Sequence, residues 1–480
     1  MASSLKLRSL FFVLVTIVPI GIVLQRCGQP NSSNKSTSQI SLDGYRISEG
    51  DVALFPGDGT FAKVQGMEAY GKGDYKTAKT LFEQSLQQRP NDPEALIYKN
   101  NAKNQIDNTG KSLKIAVSIP GETADSNSSR EILRGVSQAQ NEINQSGGIN
   151  GRSLSIVIGT DDNDTTIAPK VAASFVAQSE ILGVVGHVAS SATLATVETY
   201  TKGELVAISP VSSAVQLSNK SPYIFRTVPS DSMAARSLAD YAVKTLGRKK
   251  TVVYFNSESD YSKSLKGEFS TAISTQGGQV VAEYDLAVRN FDAQESLKSA
   301  KQQGADIIML ASNTDTLNRA LQVVRLNESR LPIVGGDDVY SPKTLETTRA
   351  TGENMVLAVP WHILANNSQS FAARSRKLWG GDVNWRTVMA YDATQALIAA
   401  LQKNPNTTRK GVRDSLGTPG FSAVGGSSPV SFLGSGDRTS VIQLVKIVKG
   451  NRSAYGYDFM PIELSSPPSK SEQSDSKPAN

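Results

Sequence analysis

From residue 112 onward, short apolar runs alternate with amphipathic stretches. The runs at 113–119 (LKIAVSI), 154–160 (LSIVIGT), 181–186 (ILGVVG), 205–209 (LVAIS) and 223–228 (YIFRTV) predict strands. So do 251–255, 279–284, 305–310, 332–336 and 355–359. Helical spacing fits most intervals between them: 130–145, 166–179, 191–202, 231–246, 261–276, 291–303, 315–326 and 386–402. Repeated strand–helix alternation argues parallel sheets covered by helices on both faces. Roughly ten strands exceed one comfortable sheet, so two α/β lobes are expected, with RTVPSDS (226–232) as a candidate crossover.

The pattern ahead of residue 112 is different. Residues 61–96 read as two antiparallel helices, with Gly66, Ala69 and Ala78 where they must touch and Gly73-Asp74 as the turn. Leu81, Phe82 and Leu86 form the apolar stripe of the second helix, which Pro90 ends. A third helix, about 92–106, starts at Asp92-Pro93, a good cap and first-turn pair. The positions of Gly66, Tyr75, Ala78, Phe82 and Pro90 resemble a tetratricopeptide repeat. One repeat buries little core alone, so this unit (61–108) is expected to pack on a neighbour, as a protein-contact module or a spacer.

The first residues read as an export signal or membrane anchor (1–26): Lys6 and Arg8 precede the apolar run at 10–24. LQRC, ending in Cys27, is similar to a lipoprotein cleavage box, but Arg26 stands where a small residue belongs. Lipidated Cys27, an uncleaved anchor and ordinary cleavage all remain open. Residues 27–60 are expected to be a polar tether and 464–480 a disordered tail. A periplasmic or cell-surface protein is expected, touching membrane only through its N-terminus.

Composition narrows the chemistry. The 480 residues carry a formal net charge of +6, with basic residues scattered, so nucleic acid is not implied. One cysteine excludes an internal disulfide and a four-cysteine zinc site. Two histidines, His187 and His362, make a metal or hydrolytic centre a poor reading, and no cofactor is expected. DDNDT (161–165) lacks the Gly and distant Glu of a calcium loop. HVASSA lacks the elbow of a serine nucleophile, so an enzyme is not expected.

In open α/β sheets, ligands bind beyond the carboxyl ends of strands. That rule points to Pro120–Glu122, Asp161–Asp164, His187–Thr193, Pro210–Ser213, Asn256–Tyr261, Ser312-Asn313 and Asp337-Asp338. Ser190 or Ser191 opens a helix, where free N–H groups attract a carboxylate; the plainer reading is a helix cap. Ser212 and Ser213 repeat the hydroxyl cluster on the next strand. Tyr261 begins a helix after a later strand, and Asp337 follows two glycines that let backbone approach a ligand. A lone carboxylate in a mostly neutral cleft would suit an ammonium group.

These stretches, in order, resemble the leucine/isoleucine/valine-binding family of solute-binding proteins of ABC transporters. The resemblance covers about 112–457 and is carried by residues 133–164, VVGHVASSAT (184–193), LVAISPVSSAVQLS (205–218), YIFRTVPSD (223–231) and DYSKSL (260–265). It implies a two-lobed α/β clamshell joined by three crossovers. Lobe one would take about 112–228 and 360–440, lobe two about 229–359 and 441–457. It implies that Ser190 and Ser213 bind an amino acid carboxylate, with the backbone at Val188 and Val211 alongside. Tyr261 would fold over the ligand, Asp337 would take its ammonium, and Asn313 would be a weaker contact. The first loop, GETADSNSSR (121–130), lacks the aromatic residue often found there.

The expected function is therefore amino acid capture by hinge closure, with ABC permease subunits as partners. The rivals are a sensor or scaffold signalling to a protein bound by the helical repeat, and an amide- or urea-binding relative.

Overall fold

The computed structural model describes residues 47–55, 59–108, 111–365, 369–404 and 407–462. The expected export segment, Cys27, most of the expected tether and the tail lie outside the described residues. No described helix is long and apolar enough to cross a membrane.

Lobe one begins with β1 (Ile47–Ser48), then α1 (Phe61–Gly71), α2 (Tyr75–Gln88) and α3 (Pro93–Asn108). It continues through β2 (Leu113–Ile119), α4 (Glu122–Gln145), β3 (Leu154–Thr160), α5 (Ala168–Ala177), β4 (Ile181–Val185), α6 (Ser190–Lys202), β5 (Ala207–Ser209) and β6 (Ile224–Arg226). The sheet runs β1-β3-β2-β4-β5-β6, all parallel except β1. Every residue of β3 is buried, as both-face helix cover requires.

Lobe two holds α7 (Asp231–Asp240), β7 (Lys250–Phe255), α8 (Asp260–Thr275), β8 (Gln279–Asp285), α9 (Ala293–Gln302), β9 (Ile307–Ala311), α10 (Leu317–Asn327), β10 (Ile333–Gly335), α11 (Pro342–Thr348) and β11 (Val356–Val359). The chain then returns to lobe one for α12 (Gln369–Trp379), α13 (Trp385–Lys403) and α14 (Arg409–Gly417). It ends in lobe two with β12 (Gln443–Lys449), antiparallel to β11, and β13 (Tyr457–Pro461), antiparallel to β12. The second sheet runs β13-β12-β11-β10-β9-β7-β8. Three chain crossings follow: after β6, between β11 and α12, and between α14 and β12.

Packing explains the return. α13 lies along α4 so closely that a side chain at Gly135 would strike the Thr387 carbonyl and the Tyr391 amide. Glycine there is the condition for lobe one to receive the later segment. The third crossing is tied down by a fully buried ion pair, Arg438 to Asp392 of α13 at 2.7 Å. Asp392 also accepts from the Gly426 amide and the Ser427 hydroxyl.

The end of the expected tether is ordered, contrary to the sequence reading. Ile47 and Ser48 pair with Gly159 and Ile158, and Leu54 and Phe55 are buried. The Leu54 amide donates to Glu94 at 2.8 Å, and the Tyr98 hydroxyl to the Val52 carbonyl at 3.0 Å. A polar composition hid these few apolar anchors.

The three N-terminal helices sit on lobe one. Gly66 of α1 meets the Phe82 ring of α2, which a Cβ would overlap. Lys63 is buried between Asp92 and Glu94 at 2.8 and 2.7 Å. Beyond the short β1, the edge of β3 is finished by asparagine side chains of α3. Asn101 both donates to the Ile156 carbonyl (2.8 Å) and accepts from its amide (3.1 Å), as a neighbouring strand would. Asn104 donates to the Leu154 carbonyl at 2.8 Å.

Candidate functional site

A cleft of about 270 Å³ opens between the carboxyl ends of the two sheets. Val188, Ser190, Val211, Tyr261, Asn313 and Asp337 line it, with Asp125, Asn163, Ser191, Glu258, Asp315 and Asp338 among the others. The sequence-expected Ser213 is not in the lining. It is buried one layer behind, where its carbonyl accepts the Asp231 amide at 2.9 Å. The chain turns after Val211 toward the first crossing, and this carries Ser213 off the cleft wall.

The hydroxyls crowded after β4 divide into two jobs. Thr193 bonds Ser212 at 2.7 Å, and Ser212 donates to the Val188 carbonyl at 3.0 Å. Ser209 donates to the His187 carbonyl at 2.6 Å. These bonds fix the loop and leave α6 with no side-chain cap. Its first residues, Ser190 and Ser191, line the cleft, and among the described residues no side chain caps their amides, the arrangement that binds an anion. Ser190 accepts from the Ala214 amide at 3.3 Å and stays at the cleft wall.

Beneath the loop lies a buried polar relay that the sequence reading did not foresee. His187 Nδ1 bonds Asp161, and its Nε2 bonds the Tyr200 hydroxyl at 2.8 Å. Ser118 donates to Asp161 at 2.8 Å, and the Asn163 amide to its other oxygen at 2.9 Å. Burial pushes the Asp161 carboxyl up, but the bonds from His187, the Asn163 amide and Ser118 outweigh it and hold it below its ordinary value. The relay anchors the backbone that presents Val188 and Ser190. His187 is thus a positioning group rather than a base, since both ring nitrogens are engaged inside the core.

Lobe two contributes Tyr261 at the start of α8 and Asp337 just after β10. The Tyr261 hydroxyl donates to Asp337 Oδ1 at 2.6 Å. Gly336 makes this possible, because a Cβ there would overlap the Tyr261 hydroxyl. Burial raises the Asp337 carboxyl to about 6, against the Tyr261 bond and the Arg386 charge, with Asp231 adding to the rise. Burial likewise raises Asp338 to about 7, opposed by Arg386 and assisted by Asp337 and Asp125. Burial and Asp337 hold the Tyr261 phenol well above its ordinary value, so it remains a donor.

Among the described residues, several contacts join the lobes, and those nearest the cleft involve Arg386, Ser191 and Ser264. Arg386 of α13 pairs with Asp338 at 2.6 Å. The Asp260 amide donates to Ser191 at 3.1 Å, and the Val215 amide to Ser264 at 3.0 Å. Arg386 escaped the sequence reading because its partner is 48 residues away on the other lobe. Asp125 escaped because its loop was read only for a missing aromatic ring. Asp337-Asp338, by contrast, sits at a strand end and was within reach of the strand-end rule.

A family model described as periplasmic binding protein matches residues 112–452. An amino acid binding protein of Pseudomonas aeruginosa is 28% identical over 195 residues, 40% of this chain and 52% of that protein. Leu/Ile/Val-binding protein homolog 1 of Brucella abortus is 24% identical over 212 residues, 44% and 57%. The chain thus spans about half the length of these curated relatives. An ABC transporter substrate-binding protein from Desulfitobacterium hafniense, solved in complex with Leu, has TM-score 0.63 at 22% identity, over 73% of this chain and all of that one. A leucine binding protein from Thermotoga maritima has TM-score 0.61 at 20% identity, over 72% and 97%. At these identities the structures speak for the fold, and the fold is the same two-lobed one. The matched stretch takes in both lobes, all three crossings and the cleft between them, and the chain belongs to the periplasmic binding protein family.

Proposed function

We propose that the protein is the extracytoplasmic solute-binding component of an ABC importer and captures an amino acid by closing its lobes over it. One observation carries the reading: the uncapped start of α6 in lobe one and the Asp337 carboxylate in lobe two line the same cleft. A zwitterion would place its carboxylate at the α6 amides and Ser190, and its ammonium at Asp337. Only the closed form makes both sets of contacts, so ligand shifts the population toward closure. Ser191, Ser264 and the Arg386–Asp338 pair then latch the lobes. A membrane permease would read that closed shape. The apolar N-terminal run would hold the protein at the membrane or direct its export.

The test is a thermal-shift and calorimetric comparison of free amino acids with their C-terminal amides and N-acetyl derivatives. Free amino acids should raise the melting temperature by mass action, and both blocked forms should lose the effect. Equal response to an amino acid and its amide would remove the carboxylate site from the reading.

Binding should also depend on pH in a defined direction. With Asp337 raised to about 6, the free protein takes up a proton there as pH falls through that value. The bound ammonium requires the ionised carboxylate, so binding must expel that proton. Affinity should be flat above about pH 7 and weaken by up to about tenfold per pH unit below pH 6. Calorimetry across that range checks this, and tighter binding in acid would contradict it.

A further inference from the structure

The cleft is far more acidic than its proposed family role requires. Asp125, Asp164, Glu258, Asp315, Asp337 and Asp338 all line it, and no Lys or Arg is in the lining. This is against the grain of a chain whose formal net charge is +6. Arg386 pairs with Asp338 from behind, and Asp337 is assigned above to the α-ammonium. Asp125 accepts the Ser128 amide at 3.1 Å, and Asp315 accepts from the Asn313 side chain at 2.9 Å. The apolar part of the lining is small, chiefly Val188, Ala189, Val211 and the Tyr261 ring.

We infer that the captured amino acid carries a second positive charge at the end of its side chain, as lysine, ornithine and arginine do, and that Asp125 and its acidic neighbours select it. This rests on the amino acid reading above and narrows it. Val188, Val211 and the Tyr261 ring would cover the methylene stem. The distal cation would lie among Asp125 of lobe one and the carboxylates of lobe two. A branched aliphatic side chain would instead cover the half-buried Asp125 and Asp338 with nothing in exchange, while Asp164, Glu258 and Asp315 stand at the exposed rim. It would also close like charges on one another, since Asp125 and Asp338 approach from opposite lobes. Their repulsion is already felt: the Asp125 charge helps push the Asp338 carboxyl up. A cation between the lobes turns that repulsion into attraction, so closure and selection become one event.

Lysine and norleucine test this directly, because they differ only by the ε-ammonium. Calorimetry on the unaltered protein should give lysine at least tenfold the affinity of norleucine and of leucine. Asp125→Asn, which keeps an oxygen for the Ser128 amide, should lower the lysine-to-norleucine ratio at least tenfold when combined with Asp315→Asn. Leucine or norleucine binding as tightly as lysine, or a ratio that the double variant does not change, would overturn the inference and leave the amino acid reading standing. Absence of binding by every free amino acid would overturn both.

Discussion

Replacing Asp337 with Ala is expected to weaken amino acid binding by roughly 30-fold to several thousand-fold, or about 2–5 kcal/mol. The residue is the only carboxylate of the lining that is both buried and bonded to Tyr261, so its position is set before ligand arrives. β10 delivers it, Gly336 clears the space, and the Tyr261 hydroxyl holds one oxygen. The other oxygen is left to meet the ammonium. Truncation removes the charge partner at a buried position, which leaves the ligand cation unpaired there. Asp337→Asn keeps an acceptor for Tyr261 and should still lose most of the affinity, which separates charge from shape. Calorimetry with the best amino acid ligand checks both variants. Unchanged affinity for every amino acid tested would reject the assignment.

Asp392→Ala is expected to cost the fold about 3–5 kcal/mol, the range for stranding one member of a buried pair. Arg438 and Asp392 are both fully buried. The guanidinium would keep its bonds to the Ser427 hydroxyl at 3.0 Å and the Ser428 carbonyl at 2.9 Å, but it would lose the counter-charge of Asp392. The Gly426 amide and the Ser427 hydroxyl would lose their acceptor as well. Equilibrium urea unfolding measures the loss, and a change under about 1 kcal/mol would show that the pair is not the anchor described. The exposed pair Lys202–Glu198 is the contrasting control, where screening by water leaves little to lose. The effect should reach function too, because these residues fasten the third crossing to lobe one.

Much of the architecture is legible in the chain because fully buried strands are nearly continuous apolar runs. LKIAVSI and LSIVIGT coincide with β2 and β3 to the residue. The elements absent from the sequence reading are of another kind. β1 is two residues long and exists only through its partner β3. β12, QLVKIVK, interleaves lysines with its apolar positions because its antiparallel place near the sheet edge leaves it half open to water. α4 begins at Glu122 rather than 130, across a kink at Asp125 whose backbone is not helical. A polar opening with Ser, Asn and Asp gives no apolar period to read.

The cleft is legible in the same uneven way. Strand ends led to Val188, Ser190, Val211, Tyr261, Asn313 and Asp337, which all line it. The strand-end rule and the family resemblance point to Ser213 as well, but the backbone turns after Val211, and a turn of that kind leaves no mark in residue spacing. Arg386 belongs to a helix that looks like ordinary lobe-one packing, and its pairing with Asp338 exists only once three crossings have brought the lobes together. Charge on the cleft wall was hidden for a similar reason: six carboxylates drawn from distant segments add up only in space.

The asparagines of α3 have a consequence for where this protein begins as a physical object. The stretch matched by the family model starts at residue 112, yet Ile156 and Leu154 find their outer hydrogen-bonding partners in Asn101 and Asn104. A chain trimmed to that stretch would present a raw, adhesive rim to any passing strand. The family match and the hydrogen-bonded unit therefore draw different borders here, because the helices ahead of residue 112 cover an edge that the matched stretch leaves open.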